Sequence, residues 1–281
     1  MPVSRSRNAA LDPVAFVGGG NMVRSLIGGL IARGTPADTI RVAEPVASLR
    51  TAMQHDFGVA TFADNSEAVA GAGLWVLAVK PQVLREVCTA LAPLAQASKP
   101  LVLSVAAGIT SIQLQRWLGG ELAIVRTMPN TPALLGAGVT ALYANPQVDA
   151  DGCQRAERLL AAAGDTVWLT DETRMDAVTA VSGSGPAYVF LLAEAMQAAA
   201  INEGLPADAA RTLVLQTILG AARMLTESEA DAAELRRRVT SPGGTTEAAL
   251  DCLQAAGLPA LVARAVQVAT QRGRQLSAAN D

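Results

Sequence analysis

The sequence predicts an α/β Rossmann-like domain followed by an all-α domain. Three observations carry that reading. Short β-branched apolar runs alternate with helical patterns up to residue 170. A glycine-rich turn, "VGGGNM", sits between the first apolar run and the first helical pattern. After Asp171 no strand pattern follows, only long helical stretches that are apolar on nearly every face.

The strands are expected at "VAFVG" (14–18), "IRVAE" (40–44), "LWVLAV" (74–79), "LVLSVA" (101–106) and "LAIVRTM" (122–128). Each is bounded by Gly, Pro or Asp, and helical patterns lie between most of them, as in a parallel sheet covered on both faces. "VTALYA" (139–144) and "TVWLT" (166–170) extend the sheet. The expected domains are therefore residues 12–170 and 171–281. In the second, "AYVFLLAEAMQAAAI" (187–201) and "AARTLVLQTILGAARML" (209–225) are hydrophobic all round. A helix of that kind must be buried on all sides, and a small helical domain cannot easily do this alone. The second domain is expected to pack against another subunit, which makes it a dimerisation domain.

Composition removes several function classes. With 51% hydrophobic residues the chain can bury a sizeable core; the net charge of −3 and the single short run Arg236-Arg237-Arg238 argue against a nucleic-acid partner. Three scattered cysteines, Cys88, Cys153 and Cys252, suggest neither a disulfide framework nor a zinc site. His55 is the only histidine, so no metal is expected. The first residues, "MPVSRSRNAALD", lack the apolar stretch of a signal peptide and read as a leader before the first strand. No uninterrupted apolar run of about 18 residues suggests a membrane span. A cytoplasmic location is the expectation.

The first candidate site is the glycine-rich turn. Gly18 permits a tight turn, Gly20 lets a pyrophosphate approach the backbone, and the following helix supplies free N–H groups and a positive dipole. Gly18, Gly19, Gly20, Asn21 and Met22 are the expected cofactor contacts, with Val23 where a small residue is usual. Glu44, ending the second strand, sits where a ribose 2′-hydroxyl would be read and favours NAD; Arg50 would pair with a 2′-phosphate and favours NADP. Both cofactors stay open. "LAVKPQ" (77–82) adds Ala78, Val79, Lys80 and Pro81; Pro81 is expected to end the strand, with Lys80 either capping a helix or lining the cofactor groove. "SVAAGIT" (104–110) leaves the next strand with small residues, Ala106, Ala107 and Gly108, where bulky ones would obstruct a nicotinamide ring.

The second candidate is "SPGGTTEAAL" (241–250). Glycines expose N–H groups, Ser241, Thr245 and Thr246 add hydroxyls, and a helix begins at once. Bare N–H groups at such a mouth make a seat for an anion; an ordinary capped turn uses the same residue types.

"VGGGNM", "AVKPQ", "MPNTPA" (128–133), "AVSGSGPAY" (180–188) and "VTSPGGTTEAAL" (239–250), in this order and spacing, resemble the pyrroline-5-carboxylate reductase family over residues 13 to 275. The resemblance implies hydride transfer from NADPH or NADH to the C=N carbon of 1-pyrroline-5-carboxylate, giving L-proline in the last step of proline biosynthesis. It also implies a helical domain that interlocks two subunits, active sites shared between them, and in some members a larger ring of dimers. It places a substrate-contacting threonine at Thr246. Gly244 and Thr245 are then expected to bind the substrate carboxylate through the backbone, and the Thr246 hydroxyl to face the ring nitrogen. Asn65, in "FADNSE", matches a contact near the adenosine, and Glu172, in "DETRMDAV", is a candidate for stabilising the imine charge. "MPNTPA" would form a rim near the nicotinamide.

Reducing a protonated imine requires a hydride donor, a fixed orientation and a carboxylate anchor, but no nucleophile or metal. Two alternatives compete with this reading. A β-hydroxyacid dehydrogenase needs a positioned base, supplied in that family by a lysine of the helical domain. Both lysines here, Lys80 and Lys99, precede that domain. A non-catalytic NAD(P)-binding scaffold or sensor would have no use for the retained "SPGGTT".

Overall fold

A computed structural model describes residues 13–280; the leader expected at residues 1–12 lies outside the described residues. The strands are β1 (Val14–Val17), β2 (Ile40–Ala43), β3 (Ala60–Phe62), β4 (Leu74–Leu77), β5 (Leu101–Ser104), β6 (Ile124–Met128), β7 (Gly138–Ala144) and β8 (Gly164–Leu169). The helices are α1 (Asn21–Ala32), α2 (Ala47–Phe57), α3 (Asn65–Val69), α4 (Pro81–Ser98), α5 (Ser111–Trp117), α6 (Ala150–Leu160), α7 (Met175–Val178), α8 (Gly185–Asn202), α9 (Ala207–Glu227), α10 (Ala232–Arg238), α11 (Thr245–Ala255) and α12 (Leu258–Ala279). A π-helical turn, Thr179–Gly183, joins α7 to α8.

All the strands belong to one sheet, in the order β3-β2-β1-β4-β5-β6-β7-β8. Neighbours from β3 to β6 are parallel; β7 is antiparallel to β6 and parallel to β8. β3 is a strand the sequence did not announce: three residues, Ala-Thr-Phe, are too few to show a period. The chain runs outward from β1 through β2 to β3, then returns to lay β4 on the other side of β1. That reversal opens a crevice beyond the carboxyl ends of β1 and β4, the usual ligand position in such sheets.

Alternation along the central strands feeds two cores. Val14 and Phe16 face one side with Leu26, Ile27 and Val42, while Ala15 and Val17 face the other with Trp75, Leu77, Leu84 and Leu114. Burying a Phe16 or Leu26 side chain contributes about 1.5–3 kcal/mol. Val23 is itself buried in the first core. A close helix approach falls instead at Gly29, where a Cβ would stand 2.1 Å from the Ala162 carbonyl oxygen.

By their internal contacts the described residues form two compact units. One runs to Gly183 and takes in the chain from Ala269 onward; the other is Ser184–Val268. Within the first, Gly273 packs on Asp176, and Gln113 Nε2 donates to the Ser277 carbonyl at 3.0 Å. The second consists of helices. It buries Ala193, Ala210, Val214 and Leu235, and leaves Phe190, Leu191, Leu213, Leu219 and Leu261 exposed. The two long apolar patterns of the sequence fall in α8 and α9. Among the described residues no single helix is long and apolar enough to cross a membrane; α11 and α12 pass that test only when taken together across a 51° bend.

Candidate active site

The expected cofactor residues gather at one edge of the sheet. Gly18–Met22 follow β1, Glu44 and Arg50 follow β2, Asn65 opens α3 beyond β3, Ala78–Pro81 follow β4 and Ala106–Gly108 follow β5. Gly18 has φ +104°, and a Cβ there would meet the Ala78 carbonyl oxygen at 2.9 Å, so both conformation and space require glycine. Around Gly20 the space is open to 4 Å. Gly20 is the N-cap of α1 with no side-chain cap, and the first turn carries no acidic residue. The N–H groups of Gly20, Asn21 and Met22 find no acceptor among the described residues. An uncapped, unobstructed helix mouth fits a pyrophosphate.

Glu44 is 7% exposed and works inside this edge. Its Oε2 accepts from the Gly19 N–H at 3.0 Å and its Oε1 from the Val46 N–H at 2.9 Å, so the carboxylate ties the end of β2 to the glycine turn. Arg50 Nη1 donates to the carbonyls of Glu44 and Pro45, at 2.7 and 2.8 Å. Asn65 follows Asp64, which caps α3. Bonds from the Ser66 hydroxyl and from the Ser66 and Glu67 backbone hold the Asp64 carboxyl below its usual range.

Pro81 does not end a strand. β4 stops at Leu77, and Pro81 is the first residue of α4, where its missing N–H costs nothing and its fixed φ suits the helix. Lys80 takes the N-cap position, exposed and without a side-chain capping bond. In "MPNTPA", a 3-10 helix covers Thr131–Leu135. Asn130 Oδ1 accepts from the Val139 N–H at 3.0 Å and its Nδ2 donates to the Ser182 carbonyl at 3.3 Å, so this side chain fastens the loop to its neighbours.

Glu172 lies in the first unit, deep in a polar network the sequence did not announce. Its Oε1 accepts from the Ser111 N–H at 2.7 Å and from Arg126 Nη1 at 3.2 Å; its Oε2 accepts from the Ser111 hydroxyl at 2.6 Å. Arg126 is 4% exposed and also faces Asp176 at 3.7 Å. A buried guanidinium needs such partners. With both oxygens engaged, Glu172 neutralises Arg126 and caps α5, and we do not include it in the substrate seat. Arg126 gave only one signal in the sequence, a lone charge inside an apolar strand.

The "SPGGTT" stretch lies in the second unit. Ser241–Gly244 is a tight turn closed by the Gly244 N–H donating to the Ser241 carbonyl at 3.0 Å. Pro242 and then Gly243, at φ +68°, are the residues a type II turn demands. This corrects one expectation: the Gly244 N–H is committed within the turn and is not offered to a ligand. Gly244 is the N-cap of α11 and brings no side chain. The N–H groups of Thr245, Thr246 and Glu247 find no acceptor among the described residues. Thr245 and Thr246 are exposed, Ser241 also. The mouth of α11 thus carries three bare donors at the positive end of an eleven-residue helix, an arrangement suited to an anion.

The sequence family described as pyrroline-5-carboxylate reductase dimerisation matches residues 172–276, and one described as NADP oxidoreductase, coenzyme F420-dependent, matches 13–108. The chain is 53% identical over 266 residues to the pyrroline-5-carboxylate reductase of Pseudomonas aeruginosa, covering 94% of this chain and 96% of that protein. The chain belongs to the pyrroline-5-carboxylate reductase family. A solved member from Coxiella burnetii superposes with a TM-score of 0.91 at 42% identity, over 95% of this chain and 99% of that one. A Plasmodium falciparum member solved with NADP bound gives a TM-score of 0.84 at 28% identity, over 95% of this chain and 99% of that one.

Proposed function

We propose that this chain reduces 1-pyrroline-5-carboxylate to L-proline by hydride transfer from NADPH or NADH to the imine carbon, as a homodimer and in the cytoplasm. The observation that carries the chemistry is the mouth of α11: three unpaired backbone donors beside the Thr246 hydroxyl. When bound, the reduced nicotinamide supplies the hydride. The protein's part is orientation and charge. Thr245 and Thr246 receive the substrate carboxylate through their N–H groups, at the positive end of the helix. The Thr246 hydroxyl faces the ring nitrogen and fixes which face of the imine is presented. Ser241, on the turn before it, lines the same seat. At the sheet edge Gly20, Asn21 and Met22 receive the pyrophosphate, Asn65 lies on the adenosine side, and Ala106–Gly108 leave room for the flat ring. Glu44 and Arg50 flank the ribose, one suited to a 2′-hydroxyl and the other to a 2′-phosphate.

The exposed apolar faces of α8 and α9 support the homodimer, because a second copy would bury them; a larger ring of dimers extends the same proposal. Three unpaired cysteines suit a reducing compartment. The test is the oxidation of each reduced cofactor on addition of pyrroline-5-carboxylate, with L-proline as product. A chain that binds cofactor, shows no turnover, and gains no stability from L-proline in any cofactor state would be a scaffold instead.

A further inference from the structure

The turn before α11 holds a contact that the substrate seat does not itself use. Closing Ser241–Gly244 consumes the Gly244 N–H but leaves the Gly243 N–H outside the ring of the turn. Glu247, the third residue of α11, reaches back, and its Oε2 accepts from that N–H at 2.6 Å. This is a capping-box reach displaced by one residue, because the N-cap donor is already committed. It braces the turn against the first helical turn, and the chain between them is Gly244, Thr245 and Thr246. Glycine has no side chain to hold that hinge, so without the brace the direction of the next two N–H groups is loosely set.

A carboxylate beside an anion seat carries an electrostatic penalty. Here Glu247 lines a cavity of about 310 Å³ together with Arg236, Arg237 and Asp251, so cations as well as a second carboxylate surround it. Arg237 is also paired with Glu234.

We propose that Glu247 is a positioning residue for substrate binding. It holds the Ser241–Gly244 turn so that Thr245 and Thr246 present their N–H groups to the substrate carboxylate. This rests on the function proposed above.

The test is steady-state kinetics of the full chain with pyrroline-5-carboxylate varied at saturating reduced cofactor, for the wild type, Glu247→Ala and Glu247→Gln, with melting temperatures alongside. Glu247→Ala should raise KM about three- to tenfold with kcat within about twofold, the range for losing one orienting hydrogen bond. Glu247→Gln keeps an oxygen acceptor and loses the charge, so its KM should stay at or below the wild-type value. An unmoved KM in Glu247→Ala, even with a lowered melting temperature, overturns the proposal by reducing Glu247 to helix capping. So does a KM raised equally in both variants. A wild type with no turnover overturns the proposed function and this inference together; an active wild type isolates the claim about Glu247.

Discussion

The two compact units treat their apolar residues in opposite ways. In the first, both hydrophobic clusters are closed: Phe16, Trp75, Leu77 and Leu103 are shielded by helices on either face of the sheet. In the second, α8 turns Tyr188, Val189, Phe190, Leu191 and Leu192 outward in one continuous run. Composition does not separate these cases, since both segments are rich in Leu, Val and Ala. The first unit covers both faces of its sheet within its own chain and leaves mainly scattered side chains such as Ile112 and Leu135 exposed, whereas the second leaves a continuous run uncovered, as in a domain core cut in half.

The strongest way to break this comparison is a charge on that run. Phe190 is 66% exposed within its own chain. On a free surface Phe190→Asp would change stability by no more than about 0.5 kcal/mol. In a buried interface it should cost roughly 2–4 kcal/mol and disrupt assembly. Sedimentation equilibrium should then show the mass falling from dimer to monomer, and the melting temperature of the wild type should rise with protein concentration. An unchanged mass would return the second unit to the status of a monomeric bundle.

Next in size is a change inside the first unit. Glu172→Ala leaves Arg126 with Asp176, at 3.7 Å, as its remaining ion-pair partner among the described residues. Removing one partner of a buried pair costs about 3–5 kcal/mol. Denaturant unfolding should show this loss in the Phe190→Asp background as well, because the network is built within one chain. A loss in turnover far larger than the loss in stability would instead put Glu172 back among the substrate contacts.

Smaller effects divide the two seats. Thr246→Ala should lower kcat about 10- to 100-fold while cofactor affinity stays near wild type, because the hydroxyl is assigned to the substrate ring and not to the nucleotide. Gly20→Val should do the reverse. The space around Gly20 is open, so the fold should tolerate the side chain, and the pyrophosphate would lose its approach. Cofactor titration and steady-state kinetics on both variants measure the split; similar losses in both assays would contradict separate seats.

How much of this was legible beforehand depends on the scale of the signal. The strands with four or more β-branched or apolar residues announced themselves, and Gly18 could be placed by the turn it permits. β3 could not, because its three residues show no alternation. The reversed direction of β7 was also hidden, since a strand's pattern is the same read either way. Around the nucleotide edge, residue type gave the right neighbourhood but not the bonding. Glu44 read as a ribose contact, and its two oxygens also hold backbone N–H groups from two loops. Glu172 read as a helix-start carboxylate near substrate, and the partner that claims it, Arg126, is 46 residues earlier in the chain. Long-range pairing of this kind has no local trace. The "SPGGTT" mouth was more legible because its geometry is local: proline, then glycine at positive φ, then a helix.

The smallest expected effect tests whether the first unit answers to acid on its own. Three of its carboxylates are held below their usual range. Asp56 is lowered chiefly by its bond with His55 and then by Arg24, Asp64 by Ser66, and Asp171 by Thr173. A lowered folded pKa means the folded state favours the charged form. The stabilisation is therefore present above the ordinary carboxylate pKa of 3.8 and is lost as pH falls through the lowered folded values. All three groups are exposed, so each shift contributes little. Asp64→Asn should lower the melting temperature slightly at pH about 6, and the difference from wild type should shrink as pH falls below 3.8 and through the lowered folded value. That difference should be the same at every protein concentration, because the cap sits on α3 within the closed unit. If it grew on dilution, the acid response would belong to the interface, and the contrast between a self-contained unit and one completed by a partner would be lost.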